Sequence, residues 1–296
     1  MSREHSEGSV ERRAETMISR VSDFDDAYAN APHIPGGEGF PPTWAAAAAA
    51  FRAQAVQDGW AELDISYGDK PRNRFDLFLP PTAPRGLAVF VHGGFWQKFD
   101  QSFWSHLARG PLAHGFAVAV PSYTLCPDAD VGEIACEAAR AIVCAMQRVP
   151  GPVVLAGHSV GGQIVARVIA SGSPLKRDCM ARVRRVVSIS GVHDLRPIRR
   201  TAMNDVLRIT DDMAVRESPV LLAPVHDADV VCWVGAAERP EFLRQSRILA
   251  DVWGGLGAAT EFVEEAGRHH FDIVDGLADP DHPLTRTLVA ASDVLP

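Results

Sequence analysis

Apolar residues follow two rhythms along this chain. In Ala61 to Tyr67 they alternate with polar ones, Leu63, Ile65 and Tyr67 sharing one side, and Phe75 to Leu79 repeats the pattern. Alternation predicts half-buried strands, and the polar connection Gly68 to Asn73 makes them a hairpin at a sheet edge. Further on come short, nearly continuous apolar runs, Leu87 to Val91, Phe116 to Val120 and Val153 to Ala156, and three further strand runs follow at Val183 to Ser190, Val230 to Gly235 and Thr260 to Glu264. Strands buried on both faces of a parallel sheet have that signature. Helical spacing fills the intervals at Gln101 to Ala113, Val131 to Arg148 and Gly162 to Ser171. The expectation is one α/β domain, with a mostly parallel sheet between two helical layers. An alanine-rich helix from Trp44 to Gln57 precedes it, behind a proline- and glycine-dense loop, Ala31 to Pro42. That loop is expected as a surface connection, with cover over a site as the second reading. Residues 1 to about 22 lack apolar periodicity and predict a mobile segment or a short outer helix.

Composition narrows the function classes. With 47% hydrophobic residues in 296, the chain can bury a large core. A formal net charge of −8 without any Lys/Arg block argues against nucleic acid as partner. The five cysteines, Cys126, Cys136, Cys144, Cys179 and Cys232, form no CxxC pair and are expected as reduced core thiols. No signal-like start or long apolar run is present, which predicts a cytoplasmic protein with no membrane partner. A small-molecule substrate fits this profile. Nothing in the sequence calls for a metal or organic cofactor, and the oligomeric state is open, a homodimer included.

The chemistry concentrates at Gly157-His158-Ser159-Val160-Gly161-Gly162, directly after the run Val153 to Ala156. GxSxG between a strand and a helix reads as a nucleophile elbow, a turn so tight that only small neighbours fit around the serine. Ser159 would stand at a helix N-terminus, where free N–H groups favour developing negative charge. A second motif, His92-Gly93-Gly94-Phe95-Trp96, ends another inner strand at the same sheet edge, so the two should face each other. The Gly93, Gly94 and Val160 N–H groups would form an oxyanion hole. His92 and His158 are read as structural, bonding the loop backbone.

A serine hydroxyl needs a base oriented by a carboxylate, and on this architecture the acid and then the histidine follow the serine. After the strand at Thr260 come His269 and His270, between which spacing does not choose, while His282 reads as a surface residue. Glu238 follows the strand Val230 to Val234 and is the preferred acid; Glu241 reads as first-turn helix chemistry. Asp194, after the preceding strand, is the competitor. Phe95, Trp96 and Tyr123 are placed near strand ends to bind substrate, Trp104 is expected in the core, and the segment from Pro197 to Pro219 suits a small cap.

Together, HGGFW, GHSVGG, SGVHDLRPI, AERPEFLRQS and HHFDIVDGL resemble the arylformamidase (kynurenine formamidase) branch of the α/β-hydrolases, close to the hormone-sensitive-lipase type of esterase. The likeness runs from about Phe24 to about Leu277. It implies the α/β-hydrolase fold with Ser159 as nucleophile, Glu238 as acid and His270 as base. The chain departs from the pattern in carrying glutamate where those formamidases carry aspartate. The expected function is a serine hydrolase acting through an acyl-enzyme on an aryl formamide such as N-formylkynurenine. A short-chain carboxylesterase is the alternative within the class, and a noncatalytic binding protein of the same fold the alternative outside it.

Overall fold

The computed structural model describes residues 20–225 and 227–290. Most of the expected mobile N-terminal segment, residues 1–19, lies outside these.

Among the described residues, eight strands form one sheet: β1 (Ala61–Ser66), β2 (Arg74–Phe78), β3 (Gly86–Val91), β4 (Phe116–Pro121), β5 (Val153–His158), β6 (Val183–Ile189), β7 (Asp229–Gly235) and β8 (Thr260–Glu265). Their spatial order is β1-β2-β4-β3-β5-β6-β7-β8. The hairpin β1/β2 and the pair β2/β4 are antiparallel, and every other pair is parallel. Alternation in the inner strands divides the core. Leu87, Val89, Val153 and Leu155 pack with helices α4 (Val131–Arg148), α5 (Val160–Arg167) and α9 (Pro240–Gly255) on one face. Ala88, Phe90, Val154 and Ala156 pack on the other face with α2 (Phe40–Gln57) and the segments around α3 (Arg109–Ala113) and α10 (Pro283–Val289). Helix α4 has the expected bounds and opens on a capping box between Asp130 and Glu133, which satisfies free N–H groups of its first turn.

Three readings of local structure need correction. Gln101 to Ala113 is not one helix: it forms two 3₁₀ turns, Gln101–Phe103 and Ser105–Ala108, and then short α3, with Pro111 in α3 unable to supply an N–H. The Ala31 to Pro42 stretch is more than a surface connection. It holds two 3₁₀ turns, Ala31–His33 and Gly37–Gly39, and Ala31, Pro32, Gly37 and Pro41 line the cavity described below. Of the cysteines only Cys126 and Cys232 are buried; Cys136 is exposed on α4, and Cys144 and Cys179 are partly covered.

From β3 the chain passes to β4 on one side and then returns to β5 on the other. A crevice opens at such a reversal, beyond the carboxyl ends of the two strands. The HGG segment follows β3 and Ser159 follows β5, so both motifs flank it.

Candidate active site

Ser159 sits between the last residue of β5 and the first of α5 with φ 56° and ψ −119°, a conformation L-residues rarely adopt. The turn is anchored by its own backbone: the Ser159 N–H donates to the Ile189 carbonyl at 2.8 Å, and the Ser159 carbonyl accepts from the Gly162 N–H at 2.9 Å. Gly161 lies against β3, where a Cβ would collide with the Val91 carbonyl and stand 2.7 Å from that of His92. This contact is the steric reason for the small residue in the motif.

The end of β3 runs alongside the serine. A Cβ on Gly93 would lie 3.0 Å from that of Ser159, so the strand end and the elbow are in van der Waals contact. Gly94 (φ 108°), Phe95 (φ 51°) and Trp96 (φ 56°) all have positive φ, and they curl the chain back so that the Gln97 and Lys98 N–H groups both donate to the Gly94 carbonyl. The N–H groups of Gly93, Gly94 and Val160 donate to no acceptor among the described residues. Donors left free beside a serine can receive an oxyanion.

His270 and Glu238 arrive from the loops after β8 and β7. The His270 Nδ1 lies 2.6 Å from the Glu238 Oε2, and both side chains are almost wholly buried. A carboxylate on Nδ1 holds the proton there and leaves Nε2 free as acceptor, the tautomer a general base needs. The other oxygen, Oε1, accepts from the Ser190 hydroxyl at 2.5 Å and from the Gly235 N–H at 2.9 Å. The Phe242 and His158 rings pack on His270 with centroids 4.3 and 4.6 Å away.

The neighbouring polar groups are otherwise engaged. Asp194 holds Arg196 through two 2.8 Å contacts, and its burial, which alone would raise its pKa, is outweighed by that guanidinium, so its carboxyl stays below the usual range. Glu241 does more than complement a helix end: buried, it accepts from the Tyr28 hydroxyl at 2.6 Å and from Arg244. His269 takes its loop neighbours as partners, with Nδ1 accepting from the Phe271 and Asp272 N–H groups at 3.2 Å. His282 is not a free surface side chain, since it accepts from the Leu284 N–H at the start of α10 and meets Glu265 at 3.1 Å. His92 bonds the Gly93 carbonyl at 2.7 Å, and burial lowers its pKa to about 4.

Ser159 and His270 line a cavity of about 590 Å³. Its walls are largely aromatic, with Tyr28, Trp44, Phe95, Phe99 and Phe271, and Trp104 reaches it from the core. Phe95 borders the cavity, whereas Trp96 and Tyr123, expected beside it, are fully buried and do not. The positive φ of Trp96 carries its indole into the core, and Tyr123 stacks on His92 with its hydroxyl donating to the His92 carbonyl at 3.0 Å. The segment after β6 forms short helices α7 (Asn204–Leu207) and α8 (Asp211–Arg216), and Met203 just before α7 contributes to the cavity wall. Sequence reasoning passed over Tyr28, Trp44, Phe99 and Met203. The only local signal was the spacing of Phe40 and Trp44, one helical turn apart on α2.

Residues 88–295 match the alpha/beta hydrolase family. The chain belongs to that family. Its sequence is 27% identical to the kynurenine formamidase of Danio rerio over 238 residues, covering 77% of this chain and 80% of that protein. It is 29% identical to the Drosophila melanogaster kynurenine formamidase over 247 residues, with 78% of each chain covered. Among solved structures, a protein of Silicibacter sp. TM1040 provisionally named a thioesterase superposes with a TM-score of 0.86 at 45% identity, covering 90% of this chain and 98% of its own. Esterase B of Lactobacillus rhamnosis shares the fold, with a TM-score of 0.64 at 18% identity over 86% of this chain and 94% of that one. This α/β-hydrolase is a hydrolase by these relationships, and no helix among its described residues is long and apolar enough to cross a membrane.

Proposed function

We propose that the protein is a serine hydrolase that cleaves an aryl formamide, N-formylkynurenine being the type compound, through a formyl-enzyme. The observation that carries this reading is the 2.6 Å contact of the His270 Nδ1 with Glu238, bordering the same aromatic cavity as Ser159. The Ser159 Oγ attacks the formyl carbon while its proton passes to the His270 Nε2, and Glu238 stabilises the imidazolium that forms. The oxyanion is received by the Gly93, Gly94 and Val160 N–H groups, each such donor being worth about 10²–10³ in rate. Collapse breaks the C–N bond, and the imidazolium protonates the departing aryl amine. Water, deprotonated by His270, then attacks the formyl ester, releases formate and returns the proton to Ser159. A formyl group needs almost no acyl pocket, so the cavity serves the leaving group, and its aromatic walls suit an aryl ring. The formamidase relatives act here as support for the substrate class.

An ester or thioester substrate is the second reading, favoured by the 45% identical structure provisionally named a thioesterase. Formate release from an aryl formamide, measured beside hydrolysis of p-nitrophenyl acetate and an aryl thioester, separates the two. The formamidase reading expects the formamide to be cleaved with the highest kcat/KM and is lost if no formate appears. Covalent labelling by a phosphonylating reagent, abolished in Ser159→Ala, tests the nucleophile, and an unlabelled wild type would defeat it.

A further inference from the structure

We propose that Ser190 is a positioning residue for this site: its hydroxyl fixes the rotation of the Glu238 carboxylate, while the Ile189–Ser190 backbone links β7 to the Ser159 turn. The inference rests on the serine-hydrolase reading above. Ser190 follows the last residue of β6, the one strand between β5 and β7, so it stands between the strand that delivers Ser159 and the strand that delivers Glu238. It is fully buried, and its N–H donates to the Trp233 carbonyl of β7 at 2.7 Å. One residue earlier, the Ile189 carbonyl accepts the Ser159 N–H at 2.8 Å. Two consecutive residues therefore hold the two loops in register with each other.

The backbone at this point favours a different residue. Ser190 has φ 52°, a region glycine enters freely and other residues enter at about 1–3 kcal/mol. Glycine is available to the chain, since position 191 has one, yet position 190 carries a hydroxyl, and that hydroxyl lies 2.5 Å from the Glu238 Oε1. A glutamate has one more rotatable bond than an aspartate, so its carboxylate needs more restraint to present one oxygen steadily to a histidine. Here the restraint comes from two donors on Oε1, the Ser190 hydroxyl and the Gly235 N–H, which leave Oε2 for His270. The loop after β6, where Asp194 competes as acid by sequence, thus supplies the group that holds the acid in place.

The test compares Ser190→Gly and Ser190→Ala with the wild type and with Ser159→Ala, using p-nitrophenyl acetate turnover over a range of pH. Ser190→Gly removes the hydroxyl and also relieves the backbone, so it folds even where Ser190→Ala does not. Loss of the hydroxyl concentrates negative charge on Oε2 and favours the imidazolium of His270. The other groups packed on that ring are Phe242, Phe271 and His158, and His158 is held neutral by burial. The expected result is a kcat lowered roughly 10- to 100-fold at nearly constant KM, with the acid limb of kcat/KM moved to higher pH. The downfield proton resonance of the His270 Nδ1 should shift as well. A folded Ser190→Gly with wild-type kcat, limb and resonance overturns the inference while a dead Ser159→Ala leaves the serine reading intact. An active Ser159→Ala overturns both.

Discussion

His158 donates from its Nε2 to the main-chain carbonyl of His270 at 2.9 Å, so the residue before the elbow serine holds the backbone of the histidine that faces it. Burial, and next the proximity of His270, hold the His158 pKa well below 6.5, which keeps that ring a neutral donor throughout the working range. Replacing it with phenylalanine leaves the His270 carbonyl unpaired. A stability loss of about 1–3 kcal/mol is expected, readable by urea unfolding. The acid limb of the pH–rate profile should stay where it is. Loss of turnover in a folded variant would mean that His158, not His270, acts as the base.

Glu238→Gln and Asp194→Asn separate the two candidate acids. Removing the charge that faces the His270 Nδ1 should lower kcat by about 10²–10⁴. Asp194 is buried and spent on Arg196, so its neutralisation should leave kcat nearly unchanged. Equal losses in the two variants would refute the assignment.

Asp76 on β2 gives a pH prediction of unusual sign. Its side chain is completely buried, and burial raises its pKa to about 6 despite the Asp64 N–H at 3.0 Å and Arg52 at 3.2 Å. The folded state therefore keeps this proton over a window, from about 4 to about 6, where the unfolded chain has lost it. Stability must fall as pH rises through that window, by up to about 1.4 kcal/mol per pH unit from this one group. Asp76→Asn removes the contribution, so the stability difference between variant and wild type should grow in the variant's favour from pH 4 to pH 7. Parallel curves of unfolding free energy against pH would contradict it.

Two glycines should answer alanine with opposite signs. At Gly161 the new methyl meets the Val91 and His92 carbonyls, and a loss of about 3 kcal/mol or more is expected, together with activity. At Gly255, in the last turn of α9, a Cβ would meet nothing within 4 Å, and alanine should stabilise by about 0.5–1 kcal/mol. Thermal unfolding of both variants checks the pair, and a stable, active Gly161→Ala would remove the steric account of the elbow.

The sheet was legible because its strands are written in two patterns, alternating at the β1/β2 edge and continuous inside, and because chain order on this fold limits where an acid and a histidine can fall. Which oxygen of Glu238 meets which donor was not legible, since it depends on Ser190, a residue 48 positions away brought close only by strand pairing. Trp96 and Tyr123 show a different limit. Both lie near strand ends, yet three consecutive positive φ values at Gly94, Phe95 and Trp96 turn the Trp96 ring into the core, and Tyr123 stacks on His92, neither with a clear residue signature beyond the glycine. That the 31–42 stretch walls the cavity was only the second reading, because proline and glycine density announces a loop but not what it folds over.

The loop that carries His270 follows β8, and β8 joins the sheet through β7 alone, so the histidine is held opposite the elbow of β5 and α5 by the outermost strand. A chain clipped before that strand keeps the Ser159 turn and loses His270 with it, so the proposed chemistry depends on the rim of the sheet as much as on its centre.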